Sequence, residues 1–445
     1  MDIPEYVKTL MSILEDEGFS AYPVGGCVRD GLMGQTPADW DVCTAARPEQ
    51  MQVVFSAAGY RLIETGIKHG TVTVLTADGP VEVTTFRRDG NYRDNRHPDQ
   101  VAFVPCLEED LARRDFTVNA MALGPDGEVI DLYGGQADLA RGLIRCVGDP
   151  DTRFGEDALR IMRALRFASK LDFAVEEATA QSVLKNRALL KNVTPERSFA
   201  ELKGLLAGPG AGQVLRAFGP VIFQIIPELA AQEGFDQKSP NHIHDIWTHT
   251  TMAVDAIAPD PVLRLTMLLH DVGKPAMYFT DEAGVGHFYG HAKKGMEMAD
   301  DILRRLRCDN ATRKAVTCYI KFHDIEPPQT PKSMGRFLAR LGEETVRRLI
   351  QCWRADSYDR GEAVRLRNYA IIDRSEQVME EMLAKAACFS LRDMAVGGED
   401  ILALGVEKGP AVGRVLQELF RLVTEGELPN DRAVLLARAK DIAFS

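Results

Sequence analysis

Hydrophobic residues recur at helical spacing at the start of the chain. Val7, Leu10, Met11 and Leu14 sit among Asp2, Glu5 and Glu15, so an amphipathic helix opens the protein. The pattern then shortens to a period of two. Strand-like runs are predicted at 21–24, from Trp40 onward, and at 71–75, 81–86, 101–104, 118–123 and 129–132. A short helix at 28–33 and a second near 48–58 separate the first of them. From about Gly155 the strand signals stop and nearly everything is helix-periodic. Breaks fall at 208–210, 240, 259–261, 327–331 and 397–398. This order predicts an α+β protein, a small mixed sheet backed by helices and then an all-α region. No internal repeat or low-complexity segment interrupts it, and 445 residues are too many for one core, so three or four modules are expected.

Composition adds a class and a puzzle. An apolar share of 45% with 27% charged residues is that of an ordinary soluble protein. A net charge of -12 argues against a polyanionic partner. Its distribution reverses that argument: residues 160–216 carry ten Lys or Arg against five Asp or Glu, and residues 293–321 carry eight against four. Each run taken alone is equally a solvated helix face. The eight cysteines include no Cys-x-x-Cys pair and read as reduced small hydrophobes of a cytosolic protein. The acidic amphipathic start is unlike a signal peptide, and the apolar run at 266–269 is too short to span a bilayer. A cytoplasmic protein with no membrane contact is expected, and nothing calls for an obligate protein partner.

Chemistry concentrates in the first third. Gly25 and Gly26 permit backbone amides to approach a triphosphate, and the short helix behind them, carrying Val28, Arg29 and Asp30, offers an N-terminus that favours anions. On a strand, Asp39 and Asp41 share one face while Trp40 and Val42 take the other, so two carboxylates converge where divalent ions bind. Glu82, in the run 81–86, is a third such carboxylate or a solvated strand residue. Arg113 and Arg114 suit phosphates, and Asp115 or Asn119 suits a ribose edge; Asp115 is alternatively a helix N-cap. In 156–167, read as one helix, Asp157, Arg160 and Arg163 recur every third residue. Asp157 and Arg160 offer an acceptor and donors to the edge of cytosine or adenine, or form an intrahelical salt bridge.

With these residues assembled, the first half of the chain resembles the class II tRNA nucleotidyltransferase and bacterial poly(A) polymerase family. The resemblance rests on Gly-Gly-x-Val-Arg-Asp at 25–30, Asp-x-Asp at 39–41, the stretches 65–71 and 82–87, Arg113 to Ala120, and Glu156 to Arg160. It implies a polymerase-beta-like head over 1–140 and a helical neck and body over 141–235 for nucleotide selection and RNA binding. It further implies Mg2+ on Asp39 and Asp41, a protein template of Asp157 and Arg160 that selects CTP and then ATP, and tRNA as the acceptor. The loop used in switching from C to A falls near Arg87 to Pro98.

Downstream, His249, the pair His270-Asp271, His291, His323 and Asp356 resemble the HD phosphohydrolase superfamily. That likeness implies His249, His270, Asp271 and Asp356 as the core ligands of a domain over 236–390, with His291 and His323 recruiting a second ion. A helical tail over 391–445 would close the chain. Mixed imidazole and carboxylate ligation suits Mn2+, Ni2+, Co2+ or Fe2+. His287 is read as a non-ligand, because Phe288-Tyr289-Gly290 forms a turn ahead of His291. The expected activity is CCA addition to tRNA, with phosphodiesterase or phosphatase activity in the HD domain. Rival readings are a poly(A) polymerase, an enzyme adding only CC or only A, an RNA-binding HD hydrolase with a silent head, and, weakest, a scaffold.

Overall fold

The computed structural model describes residues 2–63, 67, 70–90, 101–239, 243–384 and 391–444. Two compact units emerge, Met1–Pro227 and Glu228–Ser445.

The first unit is organised by a five-stranded mixed sheet whose order is Ala21–Pro23, Asp41–Thr44, Gly79–Thr85, Thr71–Thr76, Arg61–Ile63. The second and third strands in that order are parallel and the other neighbours are antiparallel. Register aligns Val42, Val83 and Val72 across three strands, all buried, and on the opposite face Asp41 lies beside Glu82 and Glu82 beside Thr73. The valine row packs beneath helix Glu5–Asp16, which buries Val7, Leu10, Met11 and Leu14 as predicted, and helix Pro48–Ala57, which buries Met51 and Phe55. Each fully buried valine contributes about 2 kcal/mol of transfer free energy. The polar row faces a second, smaller cluster only at its far end, where Cys43 and Phe86 meet Leu107 and Leu111. Its carboxylate end is left open.

Several expected elements shift. Residues 118–123 divide into a 3-10 turn, Thr117–Asn119, and a strand, Met121–Leu123, because Asn119 is drawn into side-chain bonding. Strand Arg61–Ile63, at the sheet edge, was not anticipated, since three residues are too few to show a period. The expectation that strands stop near Gly155 is corrected twice. Ala174–Val175 pairs with Leu143–Ile144, and Phe279–Thr280 forms a hairpin with Gly286–His287. Two-residue strands leave no alternation to read. Of the expected loop, Arg87–Asp89 is a strand paired with Val101–Phe103, and 91–100 lies outside the described residues. The same holds for 65, 66, 68 and 69 within the stretch 65–71, and for the break at 240.

After the sheet come helices Leu159–Leu171 and Pro195–Leu206. They close tightly because a Cβ on Gly208 would stand 2.5 Å from the Ser169 carbonyl oxygen, so the predicted break at 208–210 is also a packing contact. In the second unit, helices Ile246–Ala256, Pro261–Leu269, His291–Arg305, Asn310–Phe322 and Glu343–Asp356 bring the histidines together. The last three helices, Gly398–Ala403, Pro410–Thr424 and Arg432–Phe444, share a separate core of Ile401, Val415, Leu419 and Leu435. Among the described residues, no helix is long and apolar enough to cross a membrane.

Candidate functional site

In the first unit, register builds the acidic group. Asp41 and Glu82 are paired residues of parallel neighbours, so their side chains leave the sheet on one face. Asp39 belongs to the bend ahead of the strand, which begins at Asp41, and this corrects the prediction that both aspartates are strand residues. The alternation nonetheless persists: Trp40 and Val42 are buried while Asp39 is exposed. Burial, and then the charges of Asp39 and Glu82, push the Asp41 carboxyl up to about 6, and Arg114 opposes them. Carboxylates that resist common ionisation fit a hard cation with oxygen ligands.

Gly25 adopts φ +80°, and a Cβ there would lie 2.9 Å from Nη1 of Arg114. Glycine therefore keeps that guanidinium at the site, where Asp110 also holds it at 3.2 Å. Behind it runs a polar chain. Arg29 Nη1 donates to Asn119 Oδ1 at 2.6 Å, Asn119 Nδ2 donates to Asp115 Oδ1 at 3.3 Å, and Arg163 Nε and Nη2 donate to Asp115 Oδ2 at 2.8 and 2.6 Å. Burial would raise the Asp115 carboxyl, but Arg163 and Arg160 prevail and hold it at about 2. Asp115 is not a helix cap: its side chain accepts from the Phe116 amide, and the 3-10 turn starts later, at Thr117.

The segment 156–167 is two helices rather than one. Pro150–Glu156 and Leu159–Leu171 meet at Asp157, whose extended φ of -130° stops the first, and Asp157 Oδ1 accepts from the Leu159 amide. Asp157 Oδ2 lies 3.5 Å from Arg197. Arg160 turns to Glu156 Oε2 at 2.5 Å and donates to the Arg113 carbonyl at 2.9 Å. Asp157, Arg160 and Arg163 still line one cleft of about 320 Å³, joined by Arg87, Arg114 and Arg197. Arg197 was missed from sequence, since it lies in a separate helix about forty residues on, with no motif to single it out.

The second unit holds a tighter group. Among the described residues, two sets of side chains bring their ligand atoms within 4.8 Å of one another: His249, His270, Asp271 and Asp356, and Asp271, His291 and His323. Asp271 belongs to both. Helix Ile246–Ala256, capped by Asp245, carries His249; His270 and His323 end helices, His291 begins one, and Asp356 is the last residue of another. His249 Nε2 lies 2.9 Å from Asp356 Oδ1, and His270 Nε2 lies 3.2 Å from Asp271 Oδ2. His291 and His323 stand 3.5 and 3.6 Å from Asp271 Oδ1.

The ring orientations test whether a cation fits. Nδ1 of His270, His291 and His323 donates to the carbonyls of Met267, Phe288 and Ile320, at 2.7, 2.9 and 2.7 Å. A neutral imidazole so bonded presents a bare lone pair at Nε2. Yet Nε2 of His291 faces Nε2 of His323 at 3.2 Å, and Nε2 of His270 faces Nε2 of His249 at 3.3 Å. Facing lone pairs repel unless a cation or a proton lies among them. At His270 a proton can serve, because Asp271 and Asp356 overcome the effect of burial and raise it to about 9, whereas burial lowers His291 and disfavours a proton there. The residues fit a divalent ion with mixed nitrogen and oxygen ligands.

Cavities of about 340 and 380 Å³ reach this cluster, both bordered by His323, Asp356 and Arg360. Lys274 Nζ is 2.7 Å from Asp271 Oδ2, and Arg360 Nη2 is 3.1 Å from Asp356 Oδ1. Neither cation was singled out from sequence, although each follows its aspartate by one helical turn, which was the available signal. His287 is in a strand, pairs with Asp281 at 2.8 Å, and belongs to neither ligand set.

The poly A polymerase head domain profile matches residues 21–145, a polymerase A RNA- and SrmB-binding-site profile matches 172–232, and a tRNA nucleotidyltransferase domain 2 profile matches 288–439. The chain is 32% identical to a CCA-adding enzyme of Limosilactobacillus reuteri, over 98% of this chain and 96% of the relative. It is 34% identical to that of Latilactobacillus sakei, over 98% of each. The crystal structure of the Bacillus stearothermophilus CCA-adding enzyme in complex with CTP superimposes with a TM-score of 0.69 at 28% identity, covering 99% of this chain and 98% of that one. The Thermotoga maritima CCA-adding enzyme complexed with tRNA shares the fold, with a TM-score of 0.63 at 18% identity over 98% and 95% of the two chains.

Proposed function

Because the chain belongs to the CCA-adding enzyme family and is a nucleotidyltransferase, we propose that its head builds the 3′ CCA end of tRNA without a nucleic-acid template, using CTP and then ATP. The reading is carried by Arg114, which acts electrostatically on Asp41 and borders the cleft shared with Asp157, Arg160 and Arg163. That arrangement gives one nucleotide a path from catalytic carboxylates to base-selecting side chains. Asp39 and Asp41, with Glu82 beside them, would hold Mg2+, which when bound supplies charge neutralisation for the pyrophosphate leaving group. Arg114 and Arg113 orient the phosphates. Gly25 and Gly26 let the backbone approach them, and the chain from Arg29 through Asn119 and Asp115 to Arg163 keeps the cleft wall rigid. Asp157 accepts from an exocyclic amine, and Arg160 and Arg163 donate to acceptors on the base edge.

We assign the head to 1–140, the neck and body to 141–235, the HD-like domain to 236–390 and the tail to 391–445. The deciding experiment supplies tRNA lacking its last three nucleotides with CTP, ATP or both. Growth by CCA and no further supports the reading. A long A tail, or CC or A alone, would replace it with poly(A) polymerase or partial addition.

A second activity is favoured by the facing imidazole nitrogens. We infer that the second unit is an HD-type phosphohydrolase, with His249, His270, Asp271 and Asp356 as one ligand set and Asp271, His291 and His323 as the other. A divalent ion held there, Mn2+, Ni2+, Co2+ or Fe2+, supplies an activated water. Lys274 and Arg360 hold the aspartates in place and offer positive charge to a phosphoester. Phosphate release across that panel of ions tests it, and hydrolysis with none of them would leave the cluster a structural feature.

A further inference from the structure

The four histidines differ on the side turned away from their carboxylates. His270, His291 and His323 each anchor Nδ1 on a backbone carbonyl three residues earlier, so the helix itself fixes the rings of His270 and His323 and the turn ahead of the helix fixes that of His291. His249 stands apart: facing its Nδ1 at 3.7 Å is Oδ2 of Asp359, a side chain only 2% exposed in the turn after helix Glu343–Asp356. That Oδ2 is buried and accepts no hydrogen bond, whereas Oδ1 of the same carboxylate is 3.4 Å from His244 Nε2. His291 also has a carboxylate near Nδ1, Asp324 at 3.6 Å, but Asp324 is 59% exposed and the ring already donates to Phe288.

We propose that Asp359 is a positioning residue for His249, fixing its ring so that Nε2 faces the ion and making the position of His249, His270, Asp271 and Asp356 the tighter of two metal positions. The proposal rests on the second unit being a metal centre. A carboxylate behind a ligating imidazole fixes the tautomer with the proton on Nδ1 and makes Nε2 more basic, and loss of such a partner typically costs about 10–100-fold in metal affinity. Asp359 lies three residues after Asp356, so the chain segment that supplies one ligand also orients another.

The bland alternative is a buried acid that serves the fold alone, through His244. The test uses the full chain, stripped of metal and titrated with Mn2+ by calorimetry, with bound metal counted after dialysis. Wild type should bind one ion in a tight step and further ions, at the second position and at the head carboxylates, in weaker ones. Asp359→Ala should weaken the tight step about 10–100-fold and leave the weaker ones within about twofold. Asp359→Asn, which keeps the shape, should lose less. In a His249→Ala background, Asp359→Asn should cost nothing further, because its effect passes through that ring. Equal tight-step affinity for wild type and both variants overturns the proposal, as does an undiminished Asp359→Asn effect without His249. Wild type that binds no Mn2+ instead overturns the metal-centre reading beneath it.

Discussion

The two candidate sites solve the problem of concentrated negative charge in opposite ways. In the head, Asp39 and Glu82 are exposed and Asp41 partly so, with Arg114 as the cationic neighbour. In the second unit Asp271 is 1% exposed and stands among four imidazoles and a lysine. An open group of oxygens holds a strongly hydrated ion that comes and goes with its nucleotide. A closed nest removes charges from water at a cost of several kcal/mol per ion, which only close partners offset, and so suits a resident metal. On the proposed reading, exchange of ions belongs to the first site and retention to the second.

The strongest break in this comparison is Asp41→Ala. Removing the central carboxylate should reduce CMP and AMP incorporation by at least about 10³-fold, since nucleotidyl transfer depends on charge stabilisation at the reacting phosphate. Metal content of the second unit should stay at the wild-type level. Incorporation above a trace would remove Asp41 from the catalytic centre.

The reverse experiment replaces His270 and Asp271 with Ala together. Retained metal after dialysis should vanish and phosphoester hydrolysis should fall by at least about 10²-fold, because Asp271 belongs to both ligand sets. CMP addition should drop no more than about threefold, a loss attributable to a looser metal-free unit. A collapse of both activities would mean that the two chemistries are not separable.

Both groups were legible in sequence to different depths. The spacing of Asp39, Trp40 and Asp41 conveyed which side chains face the core, and alternation survives even though Asp39 lies outside the strand. One helix start was equally readable: the turn ending at Gly290 precedes the helix of His291. What pattern could not convey was pairing across distance. Glu82 was read as a third carboxylate or a solvated strand residue, and it is parallel register that sets it beside Asp41; tertiary packing likewise brings Arg197 to Asp157 and Asp359 to His249. The break at Asp157 was hidden because residues on both sides keep helical periodicity, while one side-chain bond to Leu159 restarts the helix. Such contacts are decided by tertiary geometry, which composition and period do not encode.

The rigid wall of the head cleft gives a smaller, pH-dependent effect. Asp115 falls from an ordinary 3.8 to about 2 on folding, a depressed carboxylate. Its contribution, about 2 kcal/mol by linkage, is therefore full above pH about 4 and disappears as pH falls through about 2. Thermal midpoints of wild type and Asp115→Asn should differ most near pH 5 and converge toward pH 2. A constant gap would show that the carboxylate charge is not what stabilises the Arg163 pair.

The smallest expected effect separates base selection from wall-building. Asp157 is 21% exposed and lines the cleft, with one oxygen on the Leu159 amide and the other 3.5 Å from Arg197, so it can still accept from a base edge in a way that Asp115, enclosed by Arg163 and Asn119, cannot. Asp157→Ala should lower kcat/KM for CTP and ATP about tenfold while that for UTP or GTP falls less or rises, because removing one acceptor erases the discrimination it supplied. The thermal midpoint should fall only modestly, since the Arg197 pair contributes at most about 1 kcal/mol and the bond to the Leu159 amide about 1 kcal/mol more. A lower midpoint with unchanged nucleotide preference would make Asp157 part of the wall, and selection would then rest on Arg160 and Arg163 alone.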